Sequence, residues 1–248
     1  MKKLVYILVL FSTLSCDQKD AWDCIQTSGI LATLKLTVDP FEKILVNRDI
    51  ELVVKQGQDY KVEIQAGENL IDSIEVIVVG NELQLTDPNT CNFVRDYGLT
   101  KMIVTTPVLK VIRSSTQYLT SSEGVLTFED IQLISEDFNA NYISSGDFNM
   151  NVNTQSLSVV ANNLSGFTIS GSTETLTVEF YAGLCSFKGA NLTAQDVTIF
   201  QRSSHDITVN PQQSLKVDIR SVGNVISMHT PPLVEVEEYY TGRLLFLD

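Results

Sequence analysis

The sequence is poor in the residues on which most site chemistry depends. Of its 248 residues only two are histidine, one is tryptophan and four are cysteine. His205 and His229 stand apart, the second just before Pro231 and Pro232, so a histidine-built metal site is disfavoured. Cations are also scarce: 17 Lys and Arg face 30 Asp and Glu, for a formal net charge of -13. Nucleic acid is therefore not an expected partner, because phosphate binding needs clustered cations to release counterions. Direct adsorption to anionic headgroups is disfavoured on the same ground. No apolar run approaches the roughly 20 residues a membrane-spanning helix needs. Helical periodicity is missing along the whole chain, which leaves strands as the regular structure. No motif for a cofactor stands out, and none is expected.

What is present begins with a leader. "MKKLVYILVLFSTLSC" has a basic start at Lys2 and Lys3, then an unbroken apolar run from Leu4 to Phe11. That is the layout of an export signal over residues 1–15. The segment resembles a bacterial lipobox, with small Ser15 before Cys16, although Thr13 stands where Leu, Val or Ile is usual. Cys16 is the expected lipidation site, and two or three acyl chains at about 0.8 kcal/mol per buried CH₂ would anchor the protein to a membrane without spanning it. The expected address is the cell envelope, at the outer membrane. Removing residues 1–15 takes away two lysines and no acid, so the exported part is still more acidic.

Three cysteines follow Cys16. Cys24 and Cys91, each in a loop containing Asp or Asn, are the expected disulfide in an oxidising compartment. Cys185 is expected as a buried free thiol.

A repeat dominates the second half. The phrase Gly-x-apolar-x-apolar, with variants, starts at Gly124, Gly146, Ser165, Gly183, His205, Gly223 and Gly242, roughly every 20 residues. A second phrase precedes the last five copies: Leu157/Val159, Leu176/Val178, Val197/Ile199, Leu215/Val217 and Val234/Val236. Each repeat thus supplies two short strands with one inward face. The leading glycine predicts a corner with φ > 0. A unit this short cannot bury its apolar face alone, and stacked copies make a continuous core, so the pattern predicts an all-β fold, a right-handed parallel β-helix. Residues 29–107 are also β but more irregular, with turns at Gln56–Gln58 and Gly80–Glu82. The expected division is a signal peptide (1–15), a lipidated tether (16–28, with Trp22), an irregular β portion (29–107) and β-helix repeats (108–248).

The stretches "FEKILV", "YKVEIQAGENL", "GNELQL" and "CNFVRDY", followed by the Gly-x-apolar-x-apolar coils, resemble the head GIN domain family. These bacterial proteins, described as putative autotransporter adhesins, are common among Bacteroidetes lipoproteins. The similarity covers roughly residues 38–248, and "DAWDC" around Cys24 fits the same group, although no literal Gly-Ile-Asn triplet occurs. The resemblance implies an exported β-helix in the envelope and carries over no catalytic residue.

Placing the coils in register generates two outward columns. One is Asn162, Tyr181, Arg202, Arg220 and Tyr239; the other is Val160, Glu179, Phe200, Asp218 and Glu237. Tyr181, Phe200, Arg202, Arg220 and Tyr239 are the candidate ligand-binding residues, since aromatics stack on sugar rings and arginines hold hydroxyls or acid groups. The plain alternative is a charge ladder in which Arg202 pairs with Asp218 and Arg220 with Glu237, contributing about 0 to 1 kcal/mol each. "SSHD" at 203–206 is not a triad, because neighbouring strand residues face opposite ways. Glu136/Asp137 and Glu235/Glu237/Glu238 match no calcium loop and read as solvated carboxylates. The asparagines between Asn139 and Asn163 read as turns or ladders.

The function expected is a non-enzymatic, adhesin-like envelope lipoprotein recognising a glycan or a surface protein. A polysaccharide lyase or hydrolase on the same scaffold is the alternative, and a structural spacer the third reading. Fold alone does not choose among them.

Overall fold

The computed structural model describes residues 23–96, 98, 100–137 and 144–247. The leader, Cys16, Trp22 and Asn139 lie outside the described residues. Within them the only helical segments are two short 3₁₀ turns, Asp23–Ile25 and Ile71–Ser73.

The strands are β1 (Leu31–Thr37), β2 (Lys43–Val46), β3 (Ile50–Gln56), β4 (Lys61–Gly67), β5 (Glu75–Val79) and β6 (Glu82–Thr86). Then come β7 (Thr100–Thr106), β8 (Val111–Ser114), β9 (Thr120–Leu126) and β10 (Asp130–Ser135). Four long strands follow, β11 (Phe148–Ala161), β12 (Gly166–Phe180), β13 (Ser186–Gln201) and β14 (Ile207–Ile219), and the chain closes on β15 (Val225–Ser227), β16 (Leu233–Glu238) and β17 (Leu244–Phe246).

The fold is all-β, and its strands belong to one curled, mixed sheet. Pairing resolves into two columns. The first runs β5, β6, β2, β8, β10, then the second halves of β11 to β14, then β16. The second runs β1, β4, β7, β3, β9, the first halves of β11 to β14, β15 and β17. Each long strand thus belongs to both columns. All pairs are parallel except β1–β4, β4–β7 and β5–β6.

Alternation explains why these segments are strands: β7, for instance, buries every second residue, Thr100, Met102, Val104 and Thr106. The buried rows of both columns merge into a single core. Within it Phe148 stacks on Phe167 at 4.8 Å between ring centroids, and Phe167 lies 5.9 Å from Phe180.

The second phrase of the repeat holds its register. Leu157, Leu176, Val197, Leu215 and Val234 are successive partners, and so are Val159, Val178, Ile199, Val217 and Val236. Three expectations about the first phrase need correction. Phe187, not Cys185, partners Phe167, so the copy placed at Gly183 is two residues early. The surplus residues form a turn in which Gly183 has φ +85° and an added Cβ would meet the Asn163 carbonyl at 2.0 Å. Gly124 is likewise no corner: Thr120 partners Phe148, and Gly124 (φ +78°) sits in an open irregularity of β9. Nor do Gly146, Gly223 and Gly242 take positive φ. They are glycine because a Cβ would stand 2.1, 2.2 and 2.3 Å from carbonyl oxygens of Tyr118, His205 and Gly223 one coil below. Close approach of backbones is the requirement there.

The irregular N-terminal portion continues the same stack. β2 lies between β6 and β8, and β3 between β7 and β9, so an early coil is sandwiched between two later ones. Gly80–Asn81 makes a true hairpin turn, with Val79 opposite Glu82 and Gly80 at φ +65°. Gln56–Gln58 is a corner instead, since β3 and β4 do not pair.

Candidate functional site

The outward columns assemble as the spacing requires. Val160, Glu179, Phe200, Asp218 and Glu237 are successive partners across β11, β12, β13, β14 and β16. Two residues on, the backbone N–H groups of Tyr181, Arg202, Arg220 and Tyr239 donate to Ala161, Phe180, Gln201 and Ile219 of the preceding coil at 2.8–2.9 Å, which stacks this column too. Asn162 sits one coil earlier, its N–H donating to Ser135 at 3.3 Å.

Side chains then couple across coils. The Tyr181 and Phe200 rings lie 5.4 Å apart in a tilted arrangement. Arg220 extends between two rings, 5.7 Å from the Phe200 centroid and 4.6 Å from that of Tyr239. Such cation–π contacts contribute about 0.5–1 kcal/mol each at exposed sites. Tyr181 and Tyr239 remain 42% and 60% exposed, so a ring face is open to an incoming ligand.

The charge ladder differs from the one expected. Arg220 pairs with Asp218 of its own strand, Nε to Oδ1 at 2.9 Å and Nη2 to Oδ2 at 2.9 Å, and not with Glu237. Glu237 instead accepts the Tyr239 hydroxyl at 2.5 Å. Arg202 does not reach Asp218, and among the described residues it makes no ion pair. The reason is geometric: a same-face neighbour two residues back offers both carboxylate oxygens to the planar guanidinium. That bond is the main cause that raises the Arg220 pKa; burial opposes it, and the nearby charges of Asp218, Tyr239 and Glu237 add to the rise. Tyr181 is raised first by burial and then by Glu179, and Tyr239 first by its bond to Glu237. Neither phenol is tuned for proton transfer near neutrality.

Elsewhere the polar residues are spent on architecture. Ser203 is buried and donates to the Cys185 carbonyl, the His205 N–H donates to the Ser203 hydroxyl at 3.2 Å, and Asp206 accepts the Asn224 N–H at 2.8 Å. That is a turn network with no nucleophile–base pair. Asn163 is a turn residue as well, accepting from the Ser165 N–H at 3.1 Å and donating to the Ser135 hydroxyl at 3.1 Å. The Cys185 thiol is fully buried, donates to the Asn163 carbonyl at 3.3 Å, and is pushed up to about 11, chiefly by burial. Among the described residues no group of three His, Cys, Asp or Glu is placed to hold a metal ion.

Cys24 and Cys91 are joined in a disulfide, with Cα atoms 4.4 Å apart. Beside it lies a residue to which the sequence reading gave no role. The Arg95 side chain is 4% exposed, with Nη2 2.6 Å from Asp23 Oδ1 and 3.1 Å from the Asn89 carbonyl. Asp23 also accepts the Cys91 N–H at 2.8 Å. Disulfide and buried ion pair together dock residues from Asp23 onward against the stack. The only sequence signal for Arg95 was a cation in a loop beside a cysteine.

The sequence model of a family described as "Putative auto-transporter adhesin, head GIN domain" matches residues 40–231. No curated protein matches the sequence. Among solved structures, a "putative adhesin" from Bacteroides fragilis superposes with a TM-score of 0.79 at 19% identity, over 89% of this chain and 99% of that one. A "putative lipid binding protein" from Parabacteroides distasonis gives 0.61 at 14%, over 88% and 94%. A "putative adhesin" from Parabacteroides merdae gives 0.58 at 16%, over 89% and 97%. At these identities the likeness is one of fold. Among the described residues no helix is long and apolar enough to cross a membrane.

Proposed function

This chain belongs to the "Putative auto-transporter adhesin, head GIN domain" family, and from that premise we propose that it is a non-enzymatic binding module of the cell envelope. In this reading its stacked coils form a right-handed parallel β-helix, lipid on Cys16 holds it to the outer membrane, and the side of the stack carrying Tyr181, Phe200, Arg202, Arg220 and Tyr239 recognises a glycan or a surface protein.

The observation that carries the reading is the coupling of this face. Three aromatic rings and a guanidinium from four successive coils lie within contact distance, with Arg220 between Phe200 and Tyr239. Interlocked rings on stacked strands lose little entropy when a ligand stacks on them, whereas scattered surface aromatics would each have to be ordered. Arg202, in the same outward column as Tyr181 and Arg220, adds a cation with no ion-pair partner among the described residues.

The test is a glycan array together with soluble acidic polysaccharides. Saturable binding is expected, weakened at least tenfold by Phe200→Ala and unaffected by Lys188→Ala on another part of the stack. Appearance of unsaturated product in the ultraviolet, abolished by Arg202→Ala, would replace this reading with a lyase.

A further inference from the structure

The coil stack has an open end. Among the described residues β16 pairs only with β14, and β17 only with β15. All six residues of β16 are exposed. Val234 and Val236 continue columns in which Leu215 and Val217 are 1% and 2% exposed, yet they are themselves 36% and 45% exposed. Phe246, at the matching end of the other column, is 39% exposed. These are core positions above which no coil lies among the described residues.

The backbone there is open as well. In a parallel ladder, alternate residues direct their N–H and C=O to opposite neighbours. The Tyr239 N–H donates to Ile219 on β14, so the same alternation commits Glu237 and Glu235 to β14 and turns the polar backbone groups of Val234 and Val236 outward from the stack. One end of this edge is blocked. Glu238, at a core position opposite Ile219, accepts the Leu244 N–H at 2.9 Å and pairs with Arg243 at 3.6 Å. The free template is the Leu233–Glu237 stretch, and an apolar strand edge of this kind invites another strand.

We propose that this edge binds an extended strand of another protein in which apolar residues alternate with Lys or Arg. The charge pattern selects that occupant. β16 turns Glu235 and Glu237 to the outer face, and one coil below, Lys216 in the sequence Leu215-Lys216-Val217 reaches Glu235 at 3.4 Å. The chain's own preceding coil is therefore an apolar–cation–apolar strand lying against this one. A second copy is a poor occupant. Two β16 strands paired antiparallel about Val236 would set Glu235 opposite Glu237 on both sides of the axis, and like charges directly opposite are destabilising. The edge at the far end of the same column, β5 with the sequence EVIVV, carries no cation to offer. This edge lies at the end of the stack; Glu237 is shared with the aromatic face, where it accepts the Tyr239 hydroxyl, whereas Glu235, which pairs with Lys216, is not.

The experiment measures binding of fluorescent seven-residue peptides by anisotropy. A peptide alternating valine and lysine should bind saturably, one alternating serine and lysine at least tenfold more weakly, and one alternating valine and glutamate not at all. Glu235→Lys with Glu237→Lys should reverse the preference between the two valine peptides. Val236→Pro, which keeps an apolar residue and deletes one open-side N–H, should weaken the valine–lysine peptide at least tenfold. If Val236→Pro perturbs the thermal melt, the charge-reversal pair decides. Equal binding of the serine–lysine and valine–lysine peptides would reduce the effect to charge and overturn the proposal. So would a preference that the charge reversal leaves unchanged, or sedimentation showing a self-dimer that Val236→Pro abolishes.

Discussion

A single charge placed in the core at two neighbouring coils distinguishes stacking from local strand propensity. Val217 is 2% exposed, with Ile199 and Val236 as its partners in the coils on either side. Val217→Asp removes an apolar side chain whose burial contributes about 1.5–3 kcal/mol. It also buries a carboxyl with no hydrogen-bond donor, adding several kcal/mol. The sum rivals the roughly 5–15 kcal/mol by which domains are stable, so the substitution should unfold much of the stack at neutral pH. Val236→Asp makes the same chemical change one coil later, at 45% exposure with nothing above, and should cost less than about 1 kcal/mol. The penalty at Val217 also has a sign in pH. A buried carboxyl has its folded pKa raised above the unfolded value near 4, so the destabilisation is least below about pH 4 and grows as pH rises through and beyond it. Urea midpoints of both variants at pH 7 and pH 4 provide the assay. Equal midpoints for the two variants, or a Val217→Asp midpoint matching the parent protein, would refute the stacked-column account.

Replacing both Cys24 and Cys91 by serine opens a covalent loop with a sequence separation of 67 residues. The chain-entropy relation puts the loss at about 4 kcal/mol, and an unchanged urea midpoint under oxidising conditions would contradict it. Gly146→Ala should destabilise by more than Gly80→Ala, because the first Cβ would meet the Tyr118 carbonyl at 2.1 Å whereas the second meets nothing within 4 Å and incurs only the φ +65° strain of about 1–2 kcal/mol. Thermal melts rank the two, and the reverse order would show that corner approach is not limiting. Cys185 should resist alkylation at pH 8 in the folded protein and react on unfolding. Its folded pKa of about 11 exceeds the unfolded value, so its contribution to stability is intact below about pH 9 and declines as pH rises toward 11. Fast labelling of the native thiol would contradict the burial.

Much of the arrangement could be read from the chain. Recurrence of Leu157/Val159 through Val234/Val236 determined which residues share a column, because strand alternation fixes facing and a roughly 20-residue period fixes stacking. The columns containing Phe200 and Arg220 follow from the same arithmetic. The copy at Gly183 misled because a turn can absorb two residues without changing which positions are apolar, and the copy at Gly124 because an irregularity inside β9 shifts the register; only pairing reveals either slip.

Tertiary structure alone decided the rest. That β2 and β3 lie between strands formed later in the chain is a choice among distant partners of equal local propensity, and alternation is silent on partners. That Arg220 takes Asp218, and that Arg95 is buried against Asp23, depends on which carboxylate a flexible side chain can reach once the backbone is folded. The exposure of Val234 and Val236 is the plainest case: by sequence they equal Leu215 and Val217, and they are exposed because among the described residues no strand packs on their other side.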